Sequence, residues 1–210
     1  MRTPAASTPD ELVLHVAQLV PDTESEGPGR RFAVWVQGCP LHCPGCCNPE
    51  MLPFAGGETH LVRELARRIA GTAGIEGLTL LGGEPVAQAA SCAALAAAAR
   101  AAGLSVMLFS GYTMEELRDR SIDDPHVARL LLSCDLLVDG RYRSDLPEPR
   151  RRWIGSANQR LWFLGDRYRA DDPRFAERNT IELRLACGSL LVSGWPTALR
   201  GLAGTARVRQ

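Results

Sequence analysis

The chain has 210 residues, 45% of them hydrophobic, which suits a single domain with a buried core. Its 24 basic and 24 acidic residues give a formal net charge of zero, so no overall charge attracts it to nucleic acid or to a membrane surface. Every basic residue is arginine, and the lack of lysine excludes Schiff-base catalysis and a pyridoxal anchor.

The sequence carries no convincing targeting or membrane segment. The apolar run at residues 12–20 contains His15 and Gln18 and is not followed by a small-residue cleavage site, so it is a poor signal peptide. The uncharged stretch at residues 85–99 is too short and too rich in alanine to span a bilayer. We therefore expect a cytoplasmic protein, in which the seven cysteines are ligands or buried thiols rather than disulfides.

The first 30 residues differ in composition from the strand after them. Residues 1–30 carry Pro, Ser, Thr and Gly throughout, and we expect them to be loosely organised, with a tight turn at residues 27–29. Residues 32–36 are apolar at every position, which predicts a strand that is buried on both faces. A cysteine-rich loop comes directly after this strand.

Beyond that loop, helical and strand patterns alternate. The capping box formed by Thr113 and Glu116 marks the start of one helix. Strand, loop and helix in series predict a parallel α/β sheet, either open or curled into a partial barrel, and residues 180–193 predict a terminal hairpin. Helices are predicted at residues 60–70, 88–102, from 113 and at 126–133, and strands at residues 78–81, 105–109 and 135–138.

Ligands of parallel α/β folds bind at the carboxyl ends of the strands. Each predicted strand of this chain ends in a loop whose composition suggests a binding role. We therefore expect these loops to meet on one rim of the sheet. They are the cysteine loop, Gly82-Gly83-Glu84-Pro85, Ser110-Gly111 and Asp139-Gly140.

The cysteine loop has the spacing C-x3-C-x2-C, formed by Cys39, Cys43 and Cys46. A structural zinc site usually takes two C-x2-C pairs, and only one is present. The ferredoxin run is evenly spaced, C-x2-C-x2-C. Three thiolates on one short loop would bind a cubane cluster and leave its fourth iron open, as catalysis requires, while a purely structural metal site stays the alternative.

The loop resembles the signature of the radical S-adenosylmethionine enzymes, which follows the first strand of a partial (β/α)6 barrel. Further motifs in the same order resemble one branch of these enzymes, the glycyl-radical-enzyme activases. The likeness runs from about residue 27 to residue 196. Its motifs are residues 27–31 (GPGRR), 37–39 (QGC), 43–46 (CPGC), Asn48, 82–85 (GGEP), 110–113 (SGYT), 138–140 (VDG) and 155–160 (GSANQR).

This resemblance implies a reaction and a set of site residues. Cys39, Cys43 and Cys46 would hold a 4Fe-4S cluster, and S-adenosylmethionine would chelate its fourth iron. Reductive cleavage of S-adenosylmethionine would give a 5′-deoxyadenosyl radical that abstracts a hydrogen atom, from a glycine of a partner polypeptide of the anaerobic ribonucleotide-reductase type. The implied cofactor-binding residues are Gly45, Cys47, Gly82, Gly83, Glu84, Pro85, Ser110 and Asp139.

The resemblance also implies a domain division and further partners. Residues 31–196 would be the radical S-adenosylmethionine domain, between an N-terminal extension, 1–30, and a C-terminal tail, 197–210. A one-electron donor such as flavodoxin or ferredoxin would reduce the cluster. Asn158, Gln159 and Arg160 would contact the substrate or partner, and the alternative for them is hydrogen bonding between this loop and the next strand. No membrane partner is expected, nor nucleic acid.

The chain departs from the family at Cys47, where tyrosine is usual, and at Met51-Leu52, where Thr-Trp is usual. These departures motivate an alternative substrate, a small molecule or peptide of a biosynthetic pathway. An alternative of another class is a non-catalytic iron–sulfur electron carrier with four protein ligands. Cys47 is not expected to be that fourth ligand, because adjacent cysteines point in different directions. Cys92 and Cys134 are predicted to be small core residues, and Cys187 a bystander in a turn.

Overall fold

The computed structural model of the chain describes residues 11–186 and 189–194. The helices are α1 (Val62–Ala70), α2 (Ala89–Ala101), α3 (Met114–Asp123) and α4 (Pro125–Ser133). The strands are β1 (Val13–Thr23), β2 (Arg31–Val36), β3 (Glu58–Leu61), β4 (Gly77–Gly82), β5 (Ser105–Ser110), β6 (Leu136–Asp139), β7 (Arg160–Phe163), β8 (Ile181–Ala186) and β9 (Ser189–Gly194). Within these residues, every helix is too short or too polar to cross a bilayer.

Seven of the strands form one mixed sheet in the order β3-β1-β2-β4-β5-β6-β7. Its centre, β2-β4-β5-β6, is parallel, and the flanking pairs are antiparallel. The fold is therefore mixed α/β with a parallel centre, as the alternating pattern predicted. Closure of the sheet into a partial (β/α)6 barrel stays a prediction.

The loose organisation predicted for residues 1–30 is wrong for residues 13–23. They form β1, which pairs with both β2 and β3. Leu14 and Val16 are buried while Val13 and His15 are exposed, the alternation of a strand with one covered face. Hydrogen-bonded partners on both edges stabilise this strand, although it carries polar residues. Residues 1–10 of the predicted extension lie outside the described part.

The other predicted boundaries agree with the structure to within two residues. The helix predicted from residue 60 begins at Val62, because residues 58–61 pair with β1 as β3. Strand β7 was not predicted at all. The capping box is confirmed, with Glu116 N donating to Thr113 Oγ1 at 3.2 Å. The terminal hairpin is also confirmed as β8–β9, although its turn at Cys187 lies outside the described residues.

Successive residues of the central strands face opposite sides of the sheet, so the prediction of a strand buried on both faces is confirmed for β2. One face, including Phe32 and Val34, packs with residues of α1, α2 and α4 in the main core. On the other face Ala33 and Trp35 pack with Leu81 in a smaller cluster. This second face also carries a large pocket.

Arg31 is a fully buried arginine on β2 that joins several elements. Its guanidinium donates to Thr79 Oγ1 at 2.6 Å and to Leu78 O at 2.6 Å on β4. It also donates to Ser105 Oγ at 2.9 Å on β5 and to Pro28 O at 3.1 Å in the turn before β2. Burial lowers its pKa. The side chain therefore ties the 27–29 turn to the adjacent strands.

We expect Arg31→Ala to lower the free energy of unfolding by about 3 kcal/mol or more, because it leaves several buried acceptors without a donor. The matched control is Arg30→Ala, whose side chain is half exposed and pairs with Asp22 at the surface. That change should cost far less, because an exposed ion pair contributes little to stability. Urea unfolding followed by tryptophan fluorescence measures both, and equal losses would contradict the structural role of Arg31.

Candidate functional site

A pocket lies at the carboxyl ends of the parallel strands. It encloses about 1300 Å³ of empty space, part of it open to solvent. The four loops that the sequence places on one rim all contribute to its wall, through the cysteine loop, residues 82–84, Ser110-Gly111 and Gly140. Among the predicted cofactor-binding residues, Gly45, Pro85 and Asp139 are not in this wall.

The cysteine loop is anchored at its base by backbone hydrogen bonds. Gly38 N donates to Met51 O at 2.9 Å, and Cys39 N donates to Leu52 O at 3.0 Å. The loop then turns tightly at Cys43–Cys46, where Cys46 N donates to Cys43 O at 3.1 Å. These bonds bring Cys39, Cys43 and Cys46 to the same pocket, together with Cys47.

Backbone N–H groups point at two of the three sulfur atoms. Leu41 and His42 donate to the Cys39 sulfur, and Asn48 N donates to Cys46 Sγ at 3.4 Å. Burial raises the pKa of both thiols, and these hydrogen bonds oppose the rise. Donors of this kind stabilise a thiolate, which is the form that binds a metal.

The three thiols of the cysteine loop are not gathered around a single point. Within residues 11–186 and 189–194, no three Cys, His, Asp or Glu side chains are grouped to hold one ion. A zinc ion would draw each thiolate to about 2.3 Å. A polynuclear cluster instead takes each thiolate on a different iron and leaves the sulfurs further apart. Three thiols with N–H donors in one pocket fit the second kind of group.

Glu84 is 1% exposed and connects two rim loops. Its carboxylate accepts hydrogen bonds from Val86 N at 2.9 Å in its own loop, and from Ser110 Oγ at 3.0 Å and Gly111 N at 2.8 Å in the next. Burial raises its pKa to about 7, and the three hydrogen bonds oppose that rise. The Glu84 side chain thus holds the rim together, and the Ser110 hydroxyl is engaged with it.

The two glycines before Glu84 pack against the base of the cysteine loop. A Cβ on Gly83 would lie 2.4 Å from Gly38 O, and a Cβ on Gly82, whose φ is +104°, would lie 2.7 Å from Val36 N. The backbone at the end of β2 therefore passes directly over Gly82, and that of the cysteine loop over Gly83. Their small size serves this loop-on-loop contact, whether or not a ligand also approaches.

Asn158, Gln159 and Arg160 organise the loop between β6 and β7. Gln159 Oε1 accepts from Gly155 N and Ser156 N, each at 3.0 Å, and its amide nitrogen donates to Gly140 O at 2.9 Å. Asn158 Nδ2 donates to the backbone of residue 141 at 2.8 Å. Of the three, Gln159 lines the pocket. Their contact with a partner stays a prediction.

Arg160 is bound on its inner side by Asp139, which is fully buried. Arg160 Nη2 donates to Asp139 Oδ2 at 2.6 Å, and Met114 N donates to the same oxygen at 2.7 Å. Glu115 pairs with the outer side of the guanidinium. Asp139 therefore fixes the start of α3 and the start of β7, and its proposed contact with a cofactor stays a prediction.

The other predicted cysteines behave as core residues. Cys92 on α2 is fully buried and Cys134 after α4 is 2% exposed, which confirms their prediction as small core side chains. Burial raises the pKa of both thiols. None of the six described cysteines forms a disulfide bond. Cys187 lies outside the described residues.

Part of the pocket wall was missed by the sequence analysis. It comes from the segment before β2 and from the terminal hairpin, which supply Glu26, Ser193 and Gly194. Glu26 accepts a hydrogen bond from Gly194 N at 2.7 Å, and burial raises its pKa to about 7. Its position directly before the Gly-Pro-Gly turn was the available signal, but the partner lies 168 residues away along the chain.

The family model for a 4Fe-4S single cluster domain matches residues 25–162 of the chain. Relatives are proteins named anaerobic ribonucleoside-triphosphate reductase-activating protein. That of Enterobacteria phage T4 is 32% identical over 147 residues, covering 67% of this chain and 88% of the relative. That of Vibrio cholerae is 33% identical over 150 residues, covering 68% and 93%. That of Escherichia coli K12 is 30% identical over 150 residues, covering 66% and 91%.

We expect Glu84→Ala to destabilise the protein by about 2–4 kcal/mol, because it leaves buried donors of two loops without an acceptor. Glu50→Ala, which removes an exposed carboxylate between the pocket residues Asn48 and Leu52, should change stability by about 0.5 kcal/mol or less. Urea unfolding of both variants measures the difference. A loss for Glu84→Ala as small as that of the control would contradict its role in joining the loops.

The raised pKa of Glu26 predicts a pH dependence of stability. In the folded protein its pKa is about 7, above the ordinary 4.5, so the folded state keeps a proton that the unfolded chain has lost between these values. The stabilisation is full below about pH 4.5 and is lost as the pH rises through about 7. The unfolding temperature should therefore fall between about pH 4.5 and pH 7 and level off above pH 7, and this fall should be smaller in Glu26→Gln. Parallel curves from thermal unfolding would contradict this assignment.

Proposed function

Because this chain belongs to the family of the anaerobic ribonucleoside-triphosphate reductase-activating proteins and carries a 4Fe-4S single cluster domain, we propose that it is a radical S-adenosylmethionine enzyme that activates a glycyl-radical partner. The observation that carries the proposal is the pocket that gathers Cys39, Cys43 and Cys46 with the glycine-rich rim loops. Three thiols fit a cluster with one open iron, and the rim offers space for its exchangeable ligand.

In this proposal Cys39, Cys43 and Cys46 hold the cluster. When bound, the cluster and S-adenosylmethionine supply the chemistry, a one-electron reductive cleavage that yields methionine and a 5′-deoxyadenosyl radical able to abstract a hydrogen atom. The backbone of residues 82–85 binds the methionine part, and Ser110 lies beside it. Gly45, Cys47 and Asp139 are carried over as cofactor-binding residues from the resemblance.

The protein itself positions the two cofactors and excludes water from the pocket. Trp35, Leu81 and Phe109 give the pocket an apolar wall, which protects a reactive radical from solvent. Glu84 fixes the separation of the rim loops, so the two cofactors are held in one orientation. A sheet that curves around this pocket would be the partial (β/α)6 barrel of the superfamily.

The partner is inferred from the names of the relatives, which are activating proteins of anaerobic ribonucleoside-triphosphate reductase. We therefore propose a glycine of such a reductase as the hydrogen donor, reached by a polypeptide segment that enters the pocket. Asn158, Gln159 and Arg160 are candidates for contacts to this segment. The electron comes from a donor such as flavodoxin or ferredoxin, in the cytoplasm.

The test is anaerobic reconstitution with iron and sulfide, followed by S-adenosylmethionine and a strong reductant. We expect 5′-deoxyadenosine in the product mixture, and a glycyl radical in the electron paramagnetic resonance spectrum once the reductase polypeptide is added. A fully loaded cluster that forms no 5′-deoxyadenosine would overturn the proposal and favour an electron carrier. Product without a glycyl radical would leave the cleavage chemistry standing and move the substrate to another molecule.

Single cysteine variants test the ligand assignment. Cys39→Ala should lose the cluster, because only two of the three thiolate ligands remain. Its rate of 5′-deoxyadenosine formation should fall at least about 100-fold. Cys92→Ala, the same deletion in the core, should keep its iron content. Cys47→Ala should also keep its iron content, and loss of the cluster in this variant would prove the three-ligand assignment wrong.

A further inference from the structure

The end of the terminal hairpin lies in the same pocket as the three cysteines. Ser193 and Gly194, the last residues of β9, form part of the wall that Cys39, Cys43 and Cys46 also line. The family model ends at residue 162, so β8 and β9 lie beyond the matched part of the chain. The pocket is therefore completed by a segment for which the family match gives no role.

Polar contacts attach the hairpin to the segment before β2. Gly194 N donates to Glu26 Oε1 at 2.7 Å, and Glu24 N donates to Glu182 Oε1 at 2.6 Å. The apolar side chains of β8 contribute little to this attachment, because Leu183 and Leu185 are 57% and 85% exposed. A two-stranded hairpin is marginally stable by itself. Its docked position therefore depends on a few hydrogen bonds, which a ligand with equivalent donors can replace.

The residue held by Glu26 is a glycine for a steric reason. Gly194 has a φ of +108°, and a Cβ built on it would lie 2.3 Å from Thr180 O and 3.1 Å from Ser25 Cβ. The pocket thus contains a polypeptide glycine whose N–H is bound by a buried carboxyl group. A glycine of a substrate polypeptide needs the same arrangement, a bound amide and an α-carbon without a side chain.

We propose that Glu26 binds the backbone N–H of the glycine-bearing segment of the substrate polypeptide, and that Ser193–Gly194 of this chain occupy that subsite until the substrate displaces the hairpin. The inference rests on the proposed function, because it takes a glycine of a polypeptide as the substrate. It adds a binding residue, Glu26, and an internal occupant of the substrate site.

The chemistry of Glu26 suits such an exchange. Burial raises its pKa, and repulsion from Glu182 on β8 adds to the rise, so the carboxyl group is costly to leave without a donor. Displacement of Gly194 by a substrate amide replaces one N–H donor with another, so Glu26 keeps its hydrogen bond throughout. Loss of the hairpin without a substrate has no such compensation, which keeps the hairpin docked in the free protein.

The probe is a synthetic nine-residue peptide that copies residues 190–198, with Gly194 at its centre. A second peptide carries N-methylglycine at that position and lacks the N–H donor. We expect the full-length protein to bind the first about 10-fold more tightly, the value of one hydrogen bond to a charged group. Glu26→Ala should abolish the preference, and Glu26→Gln, which keeps an acceptor oxygen, should restore part of it. Equal affinities of the wild-type protein for both peptides would overturn the subsite.

A second variant separates binding by Glu26 from a purely structural role. Glu182→Ala removes a contact of the hairpin but keeps Glu26, so the glycine peptide should bind about 3- to 10-fold more tightly. Adding Glu26→Ala to it should cancel the gain. A structural role predicts the opposite, that Glu26→Ala alone frees the hairpin and strengthens binding. Amide hydrogen exchange in residues 181–186 and 189–194 should accelerate when the peptide binds, and unchanged exchange would overturn the displacement.

The failure of this inference is distinguishable from the failure of the proposed function. Formation of 5′-deoxyadenosine without any peptide tests the function alone. If it forms while the two peptides bind equally, the subsite is wrong and the function stands. If it does not form while the glycine peptide is preferred through Glu26, the peptide subsite stands and the radical chemistry is wrong.

Discussion

The site depends on one buried carboxylate, that of Glu84. It accepts hydrogen bonds from its own loop and from the loop after β5, and its backbone N–H donates to Gly38 O at the base of the cysteine loop. Three rim loops are therefore fixed relative to one another by one residue. Asp139 repeats the arrangement on the next strand, where it binds the start of α3 and Arg160. Buried acids, each bound by several donors, thus give an otherwise loop-built rim a defined shape.

The two faces of the sheet have different roles, one in the hydrophobic core and the other in the pocket. Alternate residues of β2 and β4 pack under helices on one face, where Phe32 and Leu78 belong to the main core. The opposite face carries Trp35 and Leu81 in the pocket wall and Arg31 below it. Arg31 replaces apolar packing with a network of hydrogen bonds that reaches the turn before β2. Glu26 directly precedes that turn, so a buried arginine helps to position a residue of the pocket.

Local patterns in the sequence predicted the elements that are stabilised locally. The capping box at Thr113, the apolar β2 and the cysteine spacing each lie within a few consecutive residues, and each is where the pattern placed it. Strand β1 was missed because its polar residues are tolerated only with partners on both edges, and β7 because it is short and pairs with β6. Glu26 was missed because its hydrogen-bond donor, Gly194, lies 168 residues away along the chain. The rim was predictable because parallel strands place their carboxyl ends at the same edge of the sheet. The part of the wall formed by Glu26 and the terminal hairpin was not, because it depends on contacts between residues far apart in the sequence.

The position of the hairpin in the sequence determines the order in which the parts of the pocket are synthesised. Domains fold as their residues leave the ribosome, amino-terminal parts first. The residues of strands β1 to β7 and of the cysteine loop are all synthesised before residues 181–194. The wall that Ser193 and Gly194 contribute is therefore added last, and the pocket that holds the three thiols is more open until the hairpin docks.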